Sequence, residues 1–180
     1  MALRAGFIGL GAIGRPMARH VAKKFPTTVW NRTAARAESF ARETGAAVAG
    51  SVAEVIAGCD VLITCLPTSP DVRKVVEVES LPWRQGQLPV DATSGDPANS
   101  RALAGWLERK GVGFVDAPVS GGTSGAEAGT LTVMLGGEEP WISRAREVVG
   151  AFAGKIAHVG PVGAGDRSEE HTSELQSPYV

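Results

Sequence analysis

A short apolar run from Leu3 to Ile8 ends on Gly9-Leu10-Gly11-Ala12-Ile13-Gly14, after which Met17, Val21 and Phe25 recur at helical spacing until Pro26. Thr28-Val29-Trp30 then opens a second strand. A strand, a glycine turn, a helix and a second strand within thirty-two residues constrain the chain more than anything after them. In a dinucleotide fold each glycine of such a turn serves a separate purpose. Gly9 permits the tight turn, Gly11 lets the backbone approach a pyrophosphate, and Gly14 lets the helix pack close to the strand. The helix start adds free N–H groups and a partial positive charge. Six residues alone are weak support, because 23 glycines in 180 residues produce chance matches. The flanking strand and helix, and a second strand ending where the adenosine ribose lies, turn the motif into a dinucleotide site.

The end of the second strand bears on which dinucleotide binds. A carboxylate there accepts hydrogen bonds from the ribose 2′-hydroxyl of NAD and repels a 2′-phosphate. This chain has Asn31-Arg32-Thr33 instead. Arg32 is either a solvated loop charge or a bidentate partner for that phosphate. With no acid to repel the phosphate, NADP is favoured and NAD stays possible.

The chain is long enough to bury one core of ordinary size. A formal charge of -1 gives no basic stripe, so nucleic acid is not an implied partner. No apolar run approaches the ~18 residues of a membrane span, and glycines and Arg15 interrupt the N-terminal run where a signal peptide would be apolar. Cys59 and Cys65 have neither metal-ligand nor disulfide-framework spacing, which predicts buried reduced thiols and a cytoplasmic setting. His20, His158 and His171 are scattered and read as structural.

Beyond Arg32 the alternation continues. Helices are predicted over 34–43, from Ser51 to Gly58 with Glu54 completing a capping box, over 69–76, from Pro97 to Gly111 and over 139–152. Strands are predicted over 46–48, 60–66, 87–91, 113–115, 130–135 and 155–159. The continuous apolar run Asp60 to Leu66 is the mark of a parallel strand covered on both faces. The fold class is α/β, Rossmann-type and doubly wound, with a mainly parallel sheet. Ligands then sit beyond the carboxyl ends of the strands, where Gly9, Asn31, Pro67 and Thr93 fall.

The most informative stretch is Asp116-Ala117-Pro118-Val119-Ser120-Gly121-Gly122, continuing to Thr132. Ser120 offers a hydroxyl at a strand end, and Gly121 and Gly122 expose backbone N–H groups. Taken alone, these residues are equally a carboxylate nest or a glycine-rich turn. With Gly6-Phe7-Ile8-Gly9-Leu10-Gly11, Asn31-Arg32-Thr33, Leu66-Pro67 and Asp91-Ala92-Thr93, the stretch resembles the β-hydroxyacid dehydrogenases, from about Leu3 to Gly165. That family includes 3-hydroxyisobutyrate dehydrogenase, tartronate semialdehyde reductase and 6-phosphogluconate dehydrogenase. The resemblance implies that Gly9, Leu10, Gly11, Ala12, Ile13, Gly14, Asn31, Arg32 and Thr33 hold the cofactor. It also implies that Leu66, Pro67 and Thr93 line the nicotinamide side, and that Ser120, Gly121 and Gly122 bind the carboxylate of a small substrate. The implied reaction interconverts a 3-hydroxy acid and its semialdehyde by hydride transfer, while a lysine moves the hydroxyl proton. A non-catalytic NADP-binding module and an imine reductase are the alternatives.

The resemblance stops near Gly165, which makes residues 1–165 the NAD(P)-binding domain. In the family a helix follows, carrying the catalytic lysine and opening a helical domain that completes the substrate site and forms homo-oligomers. Here the lysine position holds Glu169, so no catalytic lysine is present and the chain is expected to be inactive. Residues 166–180 are polar and without period, predicting neither helix nor strand. Residues 167–177 also read as the in-frame translation of a common sequencing adapter, so a non-native, poorly packed tail is expected. The family's helical domain is then absent, and the apolar surface that meets it is expected to lie exposed.

Overall fold

A computed structural model describes residues 2–175. Its first half alternates as the sequence predicts: β1 (Ala5–Ile8), α1 (Gly14–Lys24), β2 (Thr27–Trp30), α2 (Ala34–Thr44), β3 (Ala47–Val48), α3 (Val52–Gly58), β4 (Val61–Thr64), α4 (Ser69–Val76), β5 (Leu88–Asp91) and α5 (Pro97–Glu108). Local chemistry sets several of these starts. Ser51 Oγ accepts the Glu54 N–H at 3.2 Å, while the Glu54 carboxylate reaches back to the N–H of Gly50 at 2.7 Å. Thr68 and Asp96 cap α4 and α5, each with a proline in the first turn.

The second half departs further. Between β6 (Val115–Asp116) and β8 (Leu131–Gly136) stand β7 (Val119–Ser120) and α6 (Gly122–Ala128), neither of which the sequence signalled. The run Gly-Thr-Ser-Gly-Ala-Glu-Ala gives α6 no apolar stripe, so its helicity comes from docking. His20 of α1 donates from Nε2 toward the carbonyls of Ala126 and Glu127, at 3.1 and 2.9 Å, which satisfies its C-terminal end. After β8 come α7 (Trp141–Val149), β9 (Ala153–Gly160) and α8 (Ala164–Leu175).

The sheet order is β3-β2-β1-β4-β5-β6-β8-β7, with β9 on β8. Pairing is parallel from β3 to β6 and between β8 and β9, and antiparallel where β8 meets β6 and β7. Strand alternation divides the core between the two faces. Phe7, Val61 and Ile63 face one cluster with Met17, Val21 and Phe152, whereas Ile8 and Leu62 face a second with Val55, Val72 and Leu107. The expected exposed apolar face is not found. Among the described residues the exposed large apolar side chains are Val48, Val78 and Val159, and Val48 and Val159 lie far apart on strands β3 and β9.

The reading of residues 166–175 as neither helix nor strand is corrected by α8, and residues 176–180 lie outside the described residues. Periodicity missed it because this helix is set from outside. Asp116 accepts the N–H groups of Gly163 at 2.8 Å and Asp166 at 3.0 Å, fixing the turn that starts it. Asp166 adds an acid at the positive end of the helix dipole and is 1% exposed, with Ser100 Oγ donating to it at 2.6 Å. Deleting residues 166–180 therefore leaves Asp116 with one fewer donor. A loss of about 1–3 kcal/mol is expected, and a calorimetric melt should show it as a drop of several degrees. An unchanged melt would restore the tail to the status of an unpacked appendage.

Candidate functional site

At the carboxyl ends of β1, β2 and β4 the structure forms a cleft of about 580 Å³. Of the residues expected to hold a dinucleotide, Gly9, Gly11, Ala12, Ile13, Gly14, Asn31, Arg32, Thr33, Leu66 and Pro67 line it together. Gly9 has a φ of 106°, and a Cβ there would strike the Cys65 carbonyl. A Cβ on Gly14 would strike the Gly9 carbonyl, so the start of α1 is pressed directly onto the turn. A Cβ on Gly11 would meet nothing, because that position faces the open cleft. This is the room that a closely approaching diphosphate requires.

Two expected residues are placed differently. Leu10 is buried at 2% exposure, and its N–H donates to Asn31 Oδ1 at 2.9 Å, so it shapes the turn and offers no donor to a ligand. Asn31 also donates to the Thr33 carbonyl at 3.1 Å, tying the end of β2 to the glycine turn. Thr93 is buried beneath the cleft. Its Oγ1 accepts the Leu66 N–H at 3.0 Å and its own N–H donates to Asp91, which also accepts from Thr64 Oγ1 at 2.9 Å. Thr93 thus fixes the Leu66-Pro67 loop from below, and its contribution to the cleft is that loop's position.

The cleft also holds residues that the sequence did not single out. Arg36, Asp71 and Lys74 join Arg32 along its wall. Asp71 accepts from the Thr68 hydroxyl at 2.7 Å within the cap of α4. The side chains of Arg32, Arg36 and Lys74 have no hydrogen-bond or ion-pair partner among the described residues. Three unpaired cations against one engaged carboxylate give the cleft a positive field, suited to a polyanionic ligand. Arg36 was legible in principle, since it stands about one helical turn beyond Arg32, on α2. Lys74 was not, because nothing local tells which side of α4 faces the cleft.

Ser120, Gly121 and Gly122 do not line this cleft. They form the corner between β7 and α6, where Gly121 and Gly122 take φ values of 134° and 63°. Position 169, by contrast, comes to the strand ends. Ser94 Oγ, one residue past Thr93, donates to Glu169 Oε1 at 2.7 Å.

Below the site lie three buried acids. Burial pushes the Asp91 carboxyl from 3.8 up to about 6, against the pull of Thr93 and Thr64. Burial likewise raises Asp116, against backbone N–H groups that favour its ionised form. Asp166 is pushed up to about 7, by burial first and then by the charges of Asp116, Asp91 and Glu169. An acid whose pKa is raised by folding keeps its proton in the folded state after the unfolded chain has lost it. That stabilisation is complete below the unfolded value and is lost as pH rises through the folded one. The melting temperature is therefore expected to be higher at pH 5 than at pH 7.5, and Asp91→Asn should flatten part of the slope. A melting temperature that rises over that interval would contradict these placements. Burial pushes the thiol of Cys65, half-buried at the rim, up to about 12.

Residues 4–160 match the family described as the NAD binding domain of 6-phosphogluconate dehydrogenase. The mitochondrial 3-hydroxyisobutyrate dehydrogenase of Homo sapiens is 35% identical over 168 residues, covering 91% of this chain and 50% of that protein. The solved Mycobacterium tuberculosis 3-hydroxyisobutyrate dehydrogenase with L-serine superposes with a TM-score of 0.90 at 35% identity, over 97% of this chain and 60% of that one. A structure described as Psf3 in complex with NADP+ and 2-OPP follows with a TM-score of 0.89 at 26% identity, over 95% of this chain and 62% of that one. The chain spans about half the length of the curated relatives it matches.

Proposed function

The chain belongs to the family of 6-phosphogluconate dehydrogenase NAD-binding domains, and on that premise we propose that it is the cofactor-holding part of an oxidoreductase acting on a small 3-hydroxy acid or its semialdehyde. The observation that carries the proposal is the cleft at the ends of β1, β2 and β4, with its open approach at Gly11 and its unpaired Arg32 and Arg36. Bound there, the dinucleotide supplies or accepts hydride at its nicotinamide. The chain's own residues do the rest. The start of α1 receives the diphosphate, Arg32 and Arg36 receive a 2′-phosphate, and Leu66-Pro67, held from below by Thr93, carries the nicotinamide side. The Ser120-Gly121-Gly122 corner is assigned to the substrate carboxylate. That assignment favours a hydroxy acid over an imine, which needs no such cradle.

NADP is the cofactor assigned. NADPH is expected to bind about tenfold or more tightly than NADH, and Arg32→Ala to remove most of the difference, with Arg36→Ala removing part. Trp30 lines the cleft, so its fluorescence reports the titration. Equal affinities for the two cofactors would overturn the NADP assignment.

Residues 1–165 are proposed as the native nucleotide-binding domain, with adapter-derived sequence following it. Sequencing the gene past the Gly165 codon tests this directly. A cytoplasmic location is proposed from the two free thiols, Cys59 and Cys65. Homo-oligomerisation is proposed for the full-length protein by analogy with the family. No helix among the described residues is long and apolar enough to cross a membrane.

A further inference from the structure

We propose that Asp116 is a positioning residue for the reacting end of this site: its carboxylate sets where the chain leaves the sheet, and so where side chain 169 stands against Ser94. The proposal rests on the reading of position 169 as the place from which the substrate proton is moved. Asp116 is wholly buried at the carboxyl end of β6, in register with Asp91 of β5 on one side and Gly136 of β8 on the other. Its Oδ1 accepts the Gly163 N–H at 2.8 Å and its Oδ2 the Asp166 N–H at 3.0 Å.

Both donors belong to the main chain, so the clamp acts whatever side chains follow Gly165. The surroundings leave the turn little latitude. A Cβ on Gly136 would strike Asp116 Oδ1, and one on Gly165 would stand 2.6 Å from the Met134 carbonyl and 2.8 Å from Asp116 Oδ2. Gly163, at a φ of 94°, bends the chain onto the carboxylate.

From this fixed point the first turn of α8 crosses toward the end of β5. Ser100 Oγ meets Asp166 Oδ2 at 2.6 Å and, three residues later, Ser94 Oγ meets Glu169 Oε1 at 2.7 Å. Taking a carboxylate out of water is costly unless its oxygens are matched by donors. Here the matching donors are those that define the start of α8, so retaining the charge and placing the helix are one requirement. Burial raises the pKa of Asp116, while the backbone N–H groups of Gly163 and Asp166 pull it back toward the ionised form.

The test uses the whole chain with Cys59→Ala and Cys65→Ala as background and a cysteine pair at Ser94→Cys and Glu169→Cys. The effective concentration of the pair is read from disulfide formation in a glutathione redox buffer. Asp116→Asn replaces one acceptor by a donor that faces an N–H. Asp166→Pro removes one donated N–H from the opposite side, at a first-turn position where proline is tolerated. It leaves Asp116 in the core, so a folding defect of the Asp116 variant does not decide the matter. Either change should lower the effective concentration about tenfold, as expected for losing a buried hydrogen bond to a charged group. NADPH affinity should stay within about twofold, because the cofactor cleft lies on the other strands. An unchanged effective concentration in both variants would overturn the proposal. So would a fall in NADPH affinity parallel to it, which would mark a general loss of the sheet. Failure of the reading of position 169 is seen separately, in turnover, and leaves these distances unaffected.

Discussion

Assayed with NADP and a panel of small 3-hydroxy acids, the 180-residue chain is expected to turn over at least ~10²- to 10⁴-fold below the ~10 per second of an ordinary enzyme. The site places a carboxylate where the family resemblance calls for a lysine amine. Glu169 accepts from Ser94 at the end of β5, and Asp166, Asp91 and Asp116 lie beneath it. That group of acids carries no amine to shuttle the hydroxyl proton. The chain's lysines do not replace it. Lys23 and Lys24 close α1, Lys110 pairs with Glu79, and Lys155 lies in β9. Lys74 is the one lysine among the described residues that lines the cleft, so turnover near the ordinary rate would point to it first. Loss of that turnover in Lys74→Ala would then replace the reading given to position 169.

Much of this arrangement was legible because its determinants are local. The glycine turn, the capping box at Ser51, Pro97 in the first turn of α5 and the apolar run of β4 each declare an element within a few residues. The cleft followed from the turn and from the rule that ligands lie beyond the carboxyl ends of parallel strands. What escaped was set by distant partners. Helix α6 has no stripe of its own and is held by His20 from far away in the sequence. Helix α8 begins where Asp116 places it, so its polar composition predicted a coil. Thr93 was taken for a lining residue because it falls at a strand end, yet one bond to the Leu66 N–H puts it underneath. Leu10 sits within the motif, but its N–H is already given to Asn31.

Cofactor binding and folding are expected to separate cleanly at two glycines of the same turn. Gly14→Ala places a methyl group against the Gly9 carbonyl and its carbon, with the Cys65 Cβ at 3.5 Å. These are main-chain and strand-end atoms that cannot swing aside, so overpacking of about 1–3 kcal/mol is the expected cost. The gain in helix propensity of up to ~1 kcal/mol offsets part of it. The melting temperature should fall by several degrees, and NADPH affinity with it. Gly11→Ala meets no atom within 4 Å and does not sit at a positive φ. The fold should accept it, with a melting temperature unchanged or slightly raised, because alanine restricts the unfolded chain. Its methyl group nevertheless stands in the open cleft, where the diphosphate must come against bare backbone. NADPH affinity should therefore drop by more than about tenfold in a protein as stable as the parent. If Gly11→Ala binds NADPH as the parent does, the diphosphate does not cross the turn there, and the dinucleotide lies elsewhere in the cleft.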